Sequence, residues 1–85
     1  MFYVYILKSL KSGRFYIGYS EDPDRRLGEH NSGKVLSTRN HRPWVKVYVE
    51  TFLTALEAIR REREIKSRKS KKYIEDLLKN KTEMI

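Results

Sequence analysis

The sequence of 85 residues predicts a single α+β domain, with a small, mainly antiparallel three-stranded sheet and flanking helices in the order β-β-α-β-α-α. Alternating apolar residues predict three strands, at residues 2–8, 14–19 and 44–52. Helical patterns separate the second strand from the third and follow the third. No repeat or linker interrupts the chain, so residues 1–80 are expected to form the domain and residues 81–85 a frayed tail.

The first two strands are predicted to form a hairpin, because the segment between them, residues 10–13, contains the glycine that such turns favour. A turn of two or four residues pairs odd-numbered with even-numbered positions, so that Tyr5 and Tyr16 share one face of the sheet. Gly18 lies on the same face and leaves the backbone open to close approach. The opposite face is apolar and carries Val4, Ile6, Phe15 and Ile17. Tyr19 also lies on that face and is expected to belong to the core.

A first helix is predicted after the hairpin, in the segment SEDPDRRLGEHNSG. Asp22 or Ser20 can cap its start, Pro23 suits its first turn, and the glycine-containing NSG ends it. Residues 34–43 then have the composition of a polar loop.

Two further helices are predicted after the third strand. Thr54 and Glu57 form a capping box, which opens a helix that runs to about residue 68. A last helix begins at about residue 71. Its apolar stripe consists of Tyr73, Ile74, Leu77 and Leu78.

The charge of the chain predicts a polyanionic partner. Nineteen lysines and arginines against eleven acidic residues give a net charge of +8 and an isoelectric point near 9.9. The excess is concentrated at residues 60–72, which hold eight basic and two acidic side chains. Nucleic acid is favoured, since each phosphate that a protein neutralises releases condensed counterions. The alternative is a solvated helix face that only keeps the protein soluble.

Composition excludes several other function classes. The chain has no cysteine, which excludes thiol catalysis, thiolate zinc sites and a thiol redox role. No signal peptide is recognisable at the start MFYVYIL, and no stretch approaches the roughly 20 apolar residues that span a bilayer. The basic segment also lacks the large apolar side chains that insert into a membrane. We therefore expect a cytoplasmic protein with no membrane partner, and the oligomeric state is left open.

Two polar side chains of the first helix are candidates for a functional site. Arg26 and His30 are four residues apart, so they lie on one side of that helix. By itself each has a simpler explanation. Arg26 could be a surface charge, and His30 could be a partner of the helix dipole at the C-terminal end.

An inward-facing carboxylate in the second helix is a third candidate. Glu62 lies in the apolar stripe of that helix, three residues from Ile59 and from Ile65, and such a carboxylate needs a partner, a metal ion or a raised pKa. The alternative is an ion pair with Lys66, four residues further on. Two tyrosines, an arginine, a histidine and an inward glutamate are together the side chains that metal-assisted phosphodiester hydrolysis requires.

These residues fall in motifs that resemble the GIY-YIG nuclease superfamily. Tyr16-Ile17-Gly18 matches the second signature tripeptide, and Tyr3-Val4-Tyr5 occupies the first, where the family often begins with glycine. The segment DRRLGEH resembles the helix motif in which an arginine precedes a histidine by four positions. The segment AIRREREIK resembles the helix with the metal-binding glutamate, and STRNHRPW resembles a loop common in small members. The resemblance covers about residues 2–79.

The resemblance implies a catalytic role for five side chains: Tyr5, Tyr16, Arg26, His30 and Glu62. Glu62 would hold one divalent cation, expected to be Mg²⁺, and Arg26 would bind the phosphate. Tyr5 would help to activate the attacking water and pass a proton to His30, while Tyr16 would position the water or a phosphate oxygen. Arg26 and the cation are expected to lower the pKa of Tyr5 from its ordinary value of about 10. No small-molecule cofactor is expected.

The expected function is that of a metal-dependent endonuclease, structure-dependent or non-specific, acting on DNA in preference to RNA. The residues expected to contact nucleic acid are one glycine and six cations: Gly18, Lys34, Arg39, Arg42, Lys66, Lys69 and Lys72. The main alternative is a binding module without cleavage, in which exposed aromatics of the sheet stack on bases and the basic helix follows the backbone. A basic protein-interaction domain is a third class, and it would need none of the five catalytic side chains.

Overall fold

A computed structural model describes residues 1–83, with side chains up to residue 80, so the tail expected at residues 81–85 lies outside the fully described part. The elements follow the predicted order β-β-α-β-α-α. They are β1 (Phe2–Ser9), β2 (Phe15–Ser20), α1 (Pro23–Ser32), a short 3₁₀ turn (Arg39–His41), β3 (Trp44–Phe52), α2 (Ala55–Arg68) and α3 (Lys71–Glu83). The α+β fold class is thereby confirmed.

The sheet has the strand order β2-β1-β3, and both strand pairs are antiparallel. A four-residue turn closes the hairpin. The Ser9 N–H donates to the Arg14 carbonyl at 2.8 Å, and the Gly13 N–H donates to the Ser9 carbonyl at 2.9 Å. This turn length gives the odd-with-even pairing that the predicted faces require. Tyr5 and Tyr16 therefore lie on the same face of the sheet, as predicted.

Helices cover both faces of the sheet. On one face, α2 and α3 cover an apolar core, and its buried residues are Val4, Ile6, Ala58, Ile65 and Ile74. On the other face, α1 packs on a second cluster, and its buried residues are Tyr5, Leu7 and Trp44. The central strand β1 supplies both clusters, because its alternate residues point to opposite faces.

Capping side chains begin α1 and α2, and a residue in the left-handed conformation ends each of them. The Asp22 carboxylate accepts the Arg25 N–H at 3.1 Å, so Asp22 rather than Ser20 caps α1. Gly33 ends α1 with φ at 86°, a left-handed conformation that glycine adopts without steric cost. The Thr54 hydroxyl accepts the N–H three residues further on at 3.2 Å, as the capping box predicts. No helix within residues 1–83 is long and apolar enough to cross a membrane.

The predicted burial of Tyr19 is wrong. Tyr19 pairs with Val4 and shares its face, but 41% of its surface is exposed. It is the next-to-last residue of β2, which is an edge strand of the sheet. Alternation fixes the face to which a strand residue points, whereas a packed helix decides whether that residue is covered.

An ion-pair network joins α2 to β3 and α3. The Arg61 guanidinium donates to both carboxylate oxygens of Glu50, at 2.9 Å each, and to Glu64 at 2.5 Å. It also donates to the Tyr73 hydroxyl at 3.3 Å, while the Tyr48 hydroxyl donates to Glu50. Burial and the hydrogen bond to Glu50 raise the pKa of Tyr48 to about 12. Because Arg61 and Glu50 are only 20% and 23% exposed, this bidentate pair stabilises more than an exposed surface pair does.

Replacing Arg61 with methionine is expected to lower the free energy of unfolding by about 2 kcal/mol, because Glu50 keeps a partly buried charge without its bidentate donor. Arg63→Met, at an exposed position of the same helix, is the matched control and should change that free energy by less than about 0.5 kcal/mol. Chemical denaturation measures both. Equal effects of the two substitutions would contradict a stabilising role for the network.

Candidate active site

Tyr5 lies at the centre of the candidate site and is almost fully buried, with 1% of its surface exposed. Its partner across the hairpin is Gly18. A Cβ atom at Gly18 would lie 2.6 Å from the Tyr5 hydroxyl oxygen and 3.2 Å from Cε2 of Tyr16. Gly18 was expected to allow close approach of nucleic acid, but it is buried here, and the Tyr5 hydroxyl makes the close approach. The missing side chain at Gly18 therefore sets the position of Tyr5.

A chain of hydrogen bonds links Tyr5 to His30 and Thr38. The Tyr5 hydroxyl oxygen lies 3.2 Å from Nε2 of His30, and Nδ1 of His30 lies 2.9 Å from Oγ1 of Thr38. The Thr38 hydroxyl donates to the Val35 carbonyl at 3.4 Å, so it accepts from the Nδ1–H of His30. Nε2 is then the unprotonated nitrogen and accepts the hydrogen of the Tyr5 hydroxyl. This is the direction that proton transfer from Tyr5 to His30 requires.

His30 is a buried residue and not a surface partner of the helix dipole. Its side chain is fully buried, and both ring nitrogens have partners. Thr38, which is 2% exposed, was not assigned to the site from the sequence, although it lies in the STRNHRPW segment. Local spacing cannot place a loop threonine beside a helical histidine, so the sequence held no direct signal for this contact.

The end of α1 fixes the loop that carries Thr38. The Asn31 side chain accepts the N–H of Trp44 at 2.7 Å and donates to the Trp44 carbonyl at 2.9 Å. The indole N–H of Trp44 donates to the Thr38 carbonyl at 2.9 Å. Asn31 is a second residue that sequence reasoning missed. Its side-chain amide forms the same pair of hydrogen bonds with the backbone of Trp44 that a neighbouring strand would form. These bonds hold the start of β3, and with it the loop that carries Thr38, against α1.

Tyr16 lies beside this chain of hydrogen bonds. Its ring centroid is 4.6 Å from that of His30, and 6.4 Å from the ring centroids of both Tyr5 and Trp44. Tyr16 is half-buried, whereas Tyr5 and His30 are buried. Tyr16 therefore packs beside the buried pair and is partly open to solvent.

Arg26 reaches Tyr5 from α1. Its guanidinium lies close enough to the Tyr5 hydroxyl to lower the pKa of that hydroxyl, and it forms an ion pair with Glu29. The Arg26 side chain is 32% exposed, so an anion in solution has access to it. Arg26 is thus part of the site and not only a surface charge. Glu29 was not predicted as a site residue, and its carboxylate pairs with the Arg26 guanidinium three residues earlier on α1.

The surroundings of Tyr5 oppose its ionisation. Burial raises the pKa of the Tyr5 hydroxyl, the nearby Arg26 lowers it, and Tyr16 and Glu62 raise it further, so that the pKa is raised overall. Arg26 lowers the pKa of Tyr5, as expected, but burial outweighs the guanidinium. Burial and the charge of Arg26 lower the pKa of His30 from its ordinary value of 6.5. His30 is therefore neutral at pH 7 and able to accept a proton.

Glu62 faces inward from α2, with 16% of its side chain exposed. Its carboxylate raises the pKa of Tyr5, so its charge acts on the same hydroxyl as the charge of Arg26. Lys66 lies 3.6 Å from it, which is the ion pair that the spacing allowed. Within the described residues, no group of three or more histidine, aspartate or glutamate side chains could hold a metal ion. A single carboxylate is still compatible with Mg²⁺, which usually keeps several waters and binds one or two carboxylates with substrate phosphates.

The cations expected to contact nucleic acid are exposed and form two groups. The first group lies on the loop between α1 and β3 and consists of Lys34, Arg39 and Arg42. Within it, the Arg42 guanidinium donates to the Arg39 carbonyl at 2.7 Å. The second group lies where α2 ends and α3 begins and consists of Lys66, Lys69 and Lys72.

Gly18→Ala is expected to lower the free energy of unfolding by about 1–3 kcal/mol, because the new methyl group overlaps the buried Tyr5 hydroxyl. It should also break the hydrogen bond between Tyr5 and His30, which NMR of the imidazole would detect. Gly28→Ala is the matched control. A Cβ at Gly28, an exposed position in α1, meets nothing within 4 Å, so this change should stabilise by about 0.5–1 kcal/mol. A neutral effect of Gly18→Ala would contradict this role of Gly18.

Comparisons with known proteins place the chain in a family. A family model described as the GIY-YIG catalytic domain matches residues 1–74. A UPF0213 protein of Staphylococcus haemolyticus is 46% identical over 66 residues, which cover 76% of this chain and 79% of that protein. A UPF0213 protein of Bacillus pumilus is 42% identical over 79 residues, which cover 88% of this chain and 80% of that protein.

A solved structure is also similar. The solution NMR structure of a UPF0213 protein from Bacillus halodurans has a TM-score of 0.59 and 41% identity, covering 95% of this chain and 86% of that chain. The family match spans every candidate catalytic position, from Tyr5 to Glu62. The chain therefore belongs to the GIY-YIG family, whose domain is a nuclease-type catalytic domain.

Proposed function

We propose that this protein hydrolyses phosphodiester bonds of nucleic acid in a reaction that depends on a divalent cation, as an endonuclease without strong sequence specificity. The observation that carries the proposal is the Tyr5 hydroxyl, 3.2 Å from Nε2 of the buried His30. Arg26 and Glu62 both act on that hydroxyl. Phosphodiester hydrolysis uses groups of these kinds: a phenol, a neutral imidazole, a guanidinium and a carboxylate.

Arg26 binds the phosphate in this proposal. Its guanidinium is held by Glu29 in the free protein and is partly exposed. A phosphate has oxygens in the bidentate geometry that suits a guanidinium, so it competes with Glu29 for the same donors. Arg26 therefore stays paired before and after the substrate binds. Because Arg26 acts on the pKa of the Tyr5 hydroxyl from nearby, a phosphate that replaces Glu29 on Arg26 would lie near that hydroxyl.

Tyr5 and His30 move the proton of the attacking water. As the water oxygen bonds to phosphorus, its proton passes to the Tyr5 oxygen, and the hydroxyl proton of Tyr5 passes to Nε2 of His30. The P–O bond to the leaving oxygen breaks, and that oxygen takes a proton from solvent. Tyr5 ends neutral, so no free phenolate has to form where burial raises the pKa of that hydroxyl. The positive charge ends on His30, whose Nδ1–H donates to Thr38. Since burial lowers the pKa of His30, the imidazolium then releases its proton readily.

Glu62 is the residue that would hold the cation, which we take to be Mg²⁺. Bound there, such a cation would neutralise charge that develops on the phosphate oxygens. In the free protein Lys66 balances the Glu62 carboxylate at 3.6 Å, and Lys66 is 50% exposed and free to turn towards solvent. Tyr16, beside the buried pair and partly open to solvent, orients the water or a phosphate oxygen.

The proposed substrate is nucleic acid, DNA in preference to RNA. The net charge of +8 and the two exposed cationic groups favour a polyanion through contacts that do not depend on sequence. A cytoplasmic location is part of the same proposal. Arg39 and Arg42, on the loop that also carries Thr38, would contact the backbone near the bound phosphate.

Binding without cleavage explains the site less well. A stacking platform needs aromatic faces that are open to solvent, whereas Tyr5 is 1% exposed and bonded to His30. A binding module or a protein-interaction domain also has no need for a carboxylate that acts on the same hydroxyl as a phosphate-binding arginine. Neither alternative explains why the hydrogen-bonded chain of Tyr5, His30 and Thr38 is buried.

Glu62→Gln is expected to reduce Mg²⁺-dependent cleavage by at least ~100-fold, because it keeps the shape of the side chain and removes the charge that a hard cation needs. Affinity for nucleic acid should hold or increase, since a carboxylate that repels phosphate is gone. Cleavage of a panel of DNA and RNA structures, with binding measured beside it, tests both expectations.

Glu64→Gln is the matched control for that experiment. Glu64 lies two residues away on α2, pairs with Arg61 at 2.5 Å and is 50% exposed. Its substitution should leave cleavage within a few-fold of the original rate. Equal losses in the two variants, or full activity in Glu62→Gln, would contradict the metal-ligand assignment and favour the binding module.

The pH dependence of kcat/KM tests the proton path. Activity should rise with pH and level off before neutrality, because His30 must be neutral to accept the proton and its pKa lies below 6.5 in the free protein. Protonation of His30 at lower pH removes the acceptor, so activity is lost on the acid side. His30→Ala should remove this acid limb and most of the rate, and an unchanged profile would exclude His30 from the path.

Thr38 should act by positioning the proton of His30. Thr38→Val removes the acceptor for Nδ1–H, so the imidazole proton moves to Nε2 and blocks transfer from Tyr5. We expect a loss of about 100-fold or more in kcat, with KM little changed. Thr38→Ser keeps the acceptor and should restore most of the rate. Imidazole ¹⁵N shifts report the tautomer, and an Nδ1–H tautomer in an active Thr38→Val protein would contradict the assignment.

A further inference from the structure

A cleft on the sheet face opposite Tyr5 has no part in the proposed chemistry. It has a volume of about 390 Å³ and lies between β2, the hairpin turn and the junction of α2 with α3. This volume falls within the range of about 300–1,000 Å³ that is typical of small-molecule sites. The floor of the cleft is apolar and consists of Phe15, Ile17, Ile65 and Ile74.

The rim of this cleft is cationic. Four basic side chains line it, from the hairpin, from α2 and from the start of α3: Arg14, Lys66, Lys69 and Lys71. None of the described residues that line the cleft is acidic. An apolar floor with a ring of cations is complementary to a ligand that combines a flat apolar part with negative charge. A nucleotide has both parts.

The backbone of Lys69 is a second observation at this cleft. Lys69 ends α2 with φ at 48° and ψ at 37°, a left-handed conformation that glycine usually occupies at the end of a helix. Non-glycine residues are uncommon in this region, and strained residues of this kind cluster at functional sites. A lysine at this position has a more strained backbone than glycine would have, and it places a cation on the rim of the cleft.

The rim of the cleft is within reach of a strand held at Glu62, the residue proposed to hold the cation. Glu62, Lys66 and Lys69 follow one another along α2, and the seven steps from the first to the last span about 10 Å of helix axis. Successive nucleotides of one strand in a duplex advance about 3.4 Å each. About three nucleotides therefore cover the distance from Glu62 to the rim of the cleft.

We infer that this cleft binds an unpaired nucleotide of the substrate strand, with the base against Phe15 and Ile17 and the phosphate on Lys66 and Lys69. The inference rests on the proposed nuclease function for the class of ligand, and it deepens that function by assigning a substrate with an unpaired nucleotide near the cut. Stacking on an aromatic ring tolerates every base, which agrees with weak sequence specificity. A fully paired duplex cannot place a base in the cleft without extruding it.

Backbone-amide NMR of the full chain tests the inference with three probes: deoxyadenosine monophosphate, deoxyadenosine and inorganic phosphate. The monophosphate should shift the amides of Gly13, Ile17 and Lys69 in a saturable way. The nucleoside and inorganic phosphate should each bind more weakly, by about fivefold or more, because each lacks one of the two parts that the cleft recognises.

Two variants separate the floor from the rim. Lys69→Gly removes a cation and relieves the left-handed conformation, so the protein stays folded while the monophosphate binds about fivefold more weakly. Lys79→Ala removes a charge from an exposed site that does not line the cleft and should leave binding unchanged. Phe15→Leu keeps an apolar floor without the ring, and it should weaken the monophosphate but not inorganic phosphate.

The outcomes distinguish this inference from the proposed function. If the protein cleaves nucleic acid with a metal ion but the nucleotide shifts no amide at the cleft, nucleotide binding at the cleft is overturned and the nuclease proposal stands. Saturable nucleotide binding at the cleft without cleavage of any nucleic acid would support the cleft and overturn the nuclease proposal. Tighter binding of an acidic, apolar peptide than of the monophosphate would overturn the cleft as a nucleotide site, in favour of a protein partner.

Discussion

The burial of the Tyr5 hydroxyl is the constraint on which the rest of the site depends. A phenol with 1% exposure must be hydrogen-bonded, since an unpaired buried polar group costs about 1–3 kcal/mol. Gly18 provides the space for the hydroxyl, and His30 accepts its hydrogen. The buried imidazole in turn needs Thr38, whose carbonyl accepts from the indole of Trp44. Each partner requires the next, so the requirement to satisfy one hydroxyl organises a hairpin, a helix and a loop.

The sheet separates this polar chain from the apolar core, and both depend on β1. The face towards α1 carries Tyr5 and its partners, while the face towards α2 and α3 carries the larger apolar cluster. Glu62 lies on α2, on the apolar side of the sheet, and yet its charge raises the pKa of Tyr5. The orientation of α2 therefore matters to the site, and the pair of Arg61 with Glu50 fixes that helix on β3. A pair that stabilises the fold thus also positions the metal-binding candidate.

The free protein holds its reactive groups in their neutral forms. Burial raises the pKa of Tyr5 and lowers that of His30, so neither group carries a charge near pH 7. The charges at the site belong to Arg26, Glu29 and Glu62, and each of the first two has the other as a partner. A substrate phosphate would change this balance by replacing Glu29.

The sequence by itself determined the order of the elements, their caps and the faces of the strands, because alternation, helical spacing and capping side chains act over a few residues. It also predicted that Tyr5 and His30 belong to one site, and the structure places the Tyr5 hydroxyl 3.2 Å from Nε2 of His30. Only the tertiary structure decided that Tyr19 is exposed, that Thr38 and Glu29 complete the site, and that the pKa of Tyr5 is raised. Those properties depend on which distant segments cover or contact a group. Periodicity gives the direction of a side chain, but its burial and its partners follow from long-range packing.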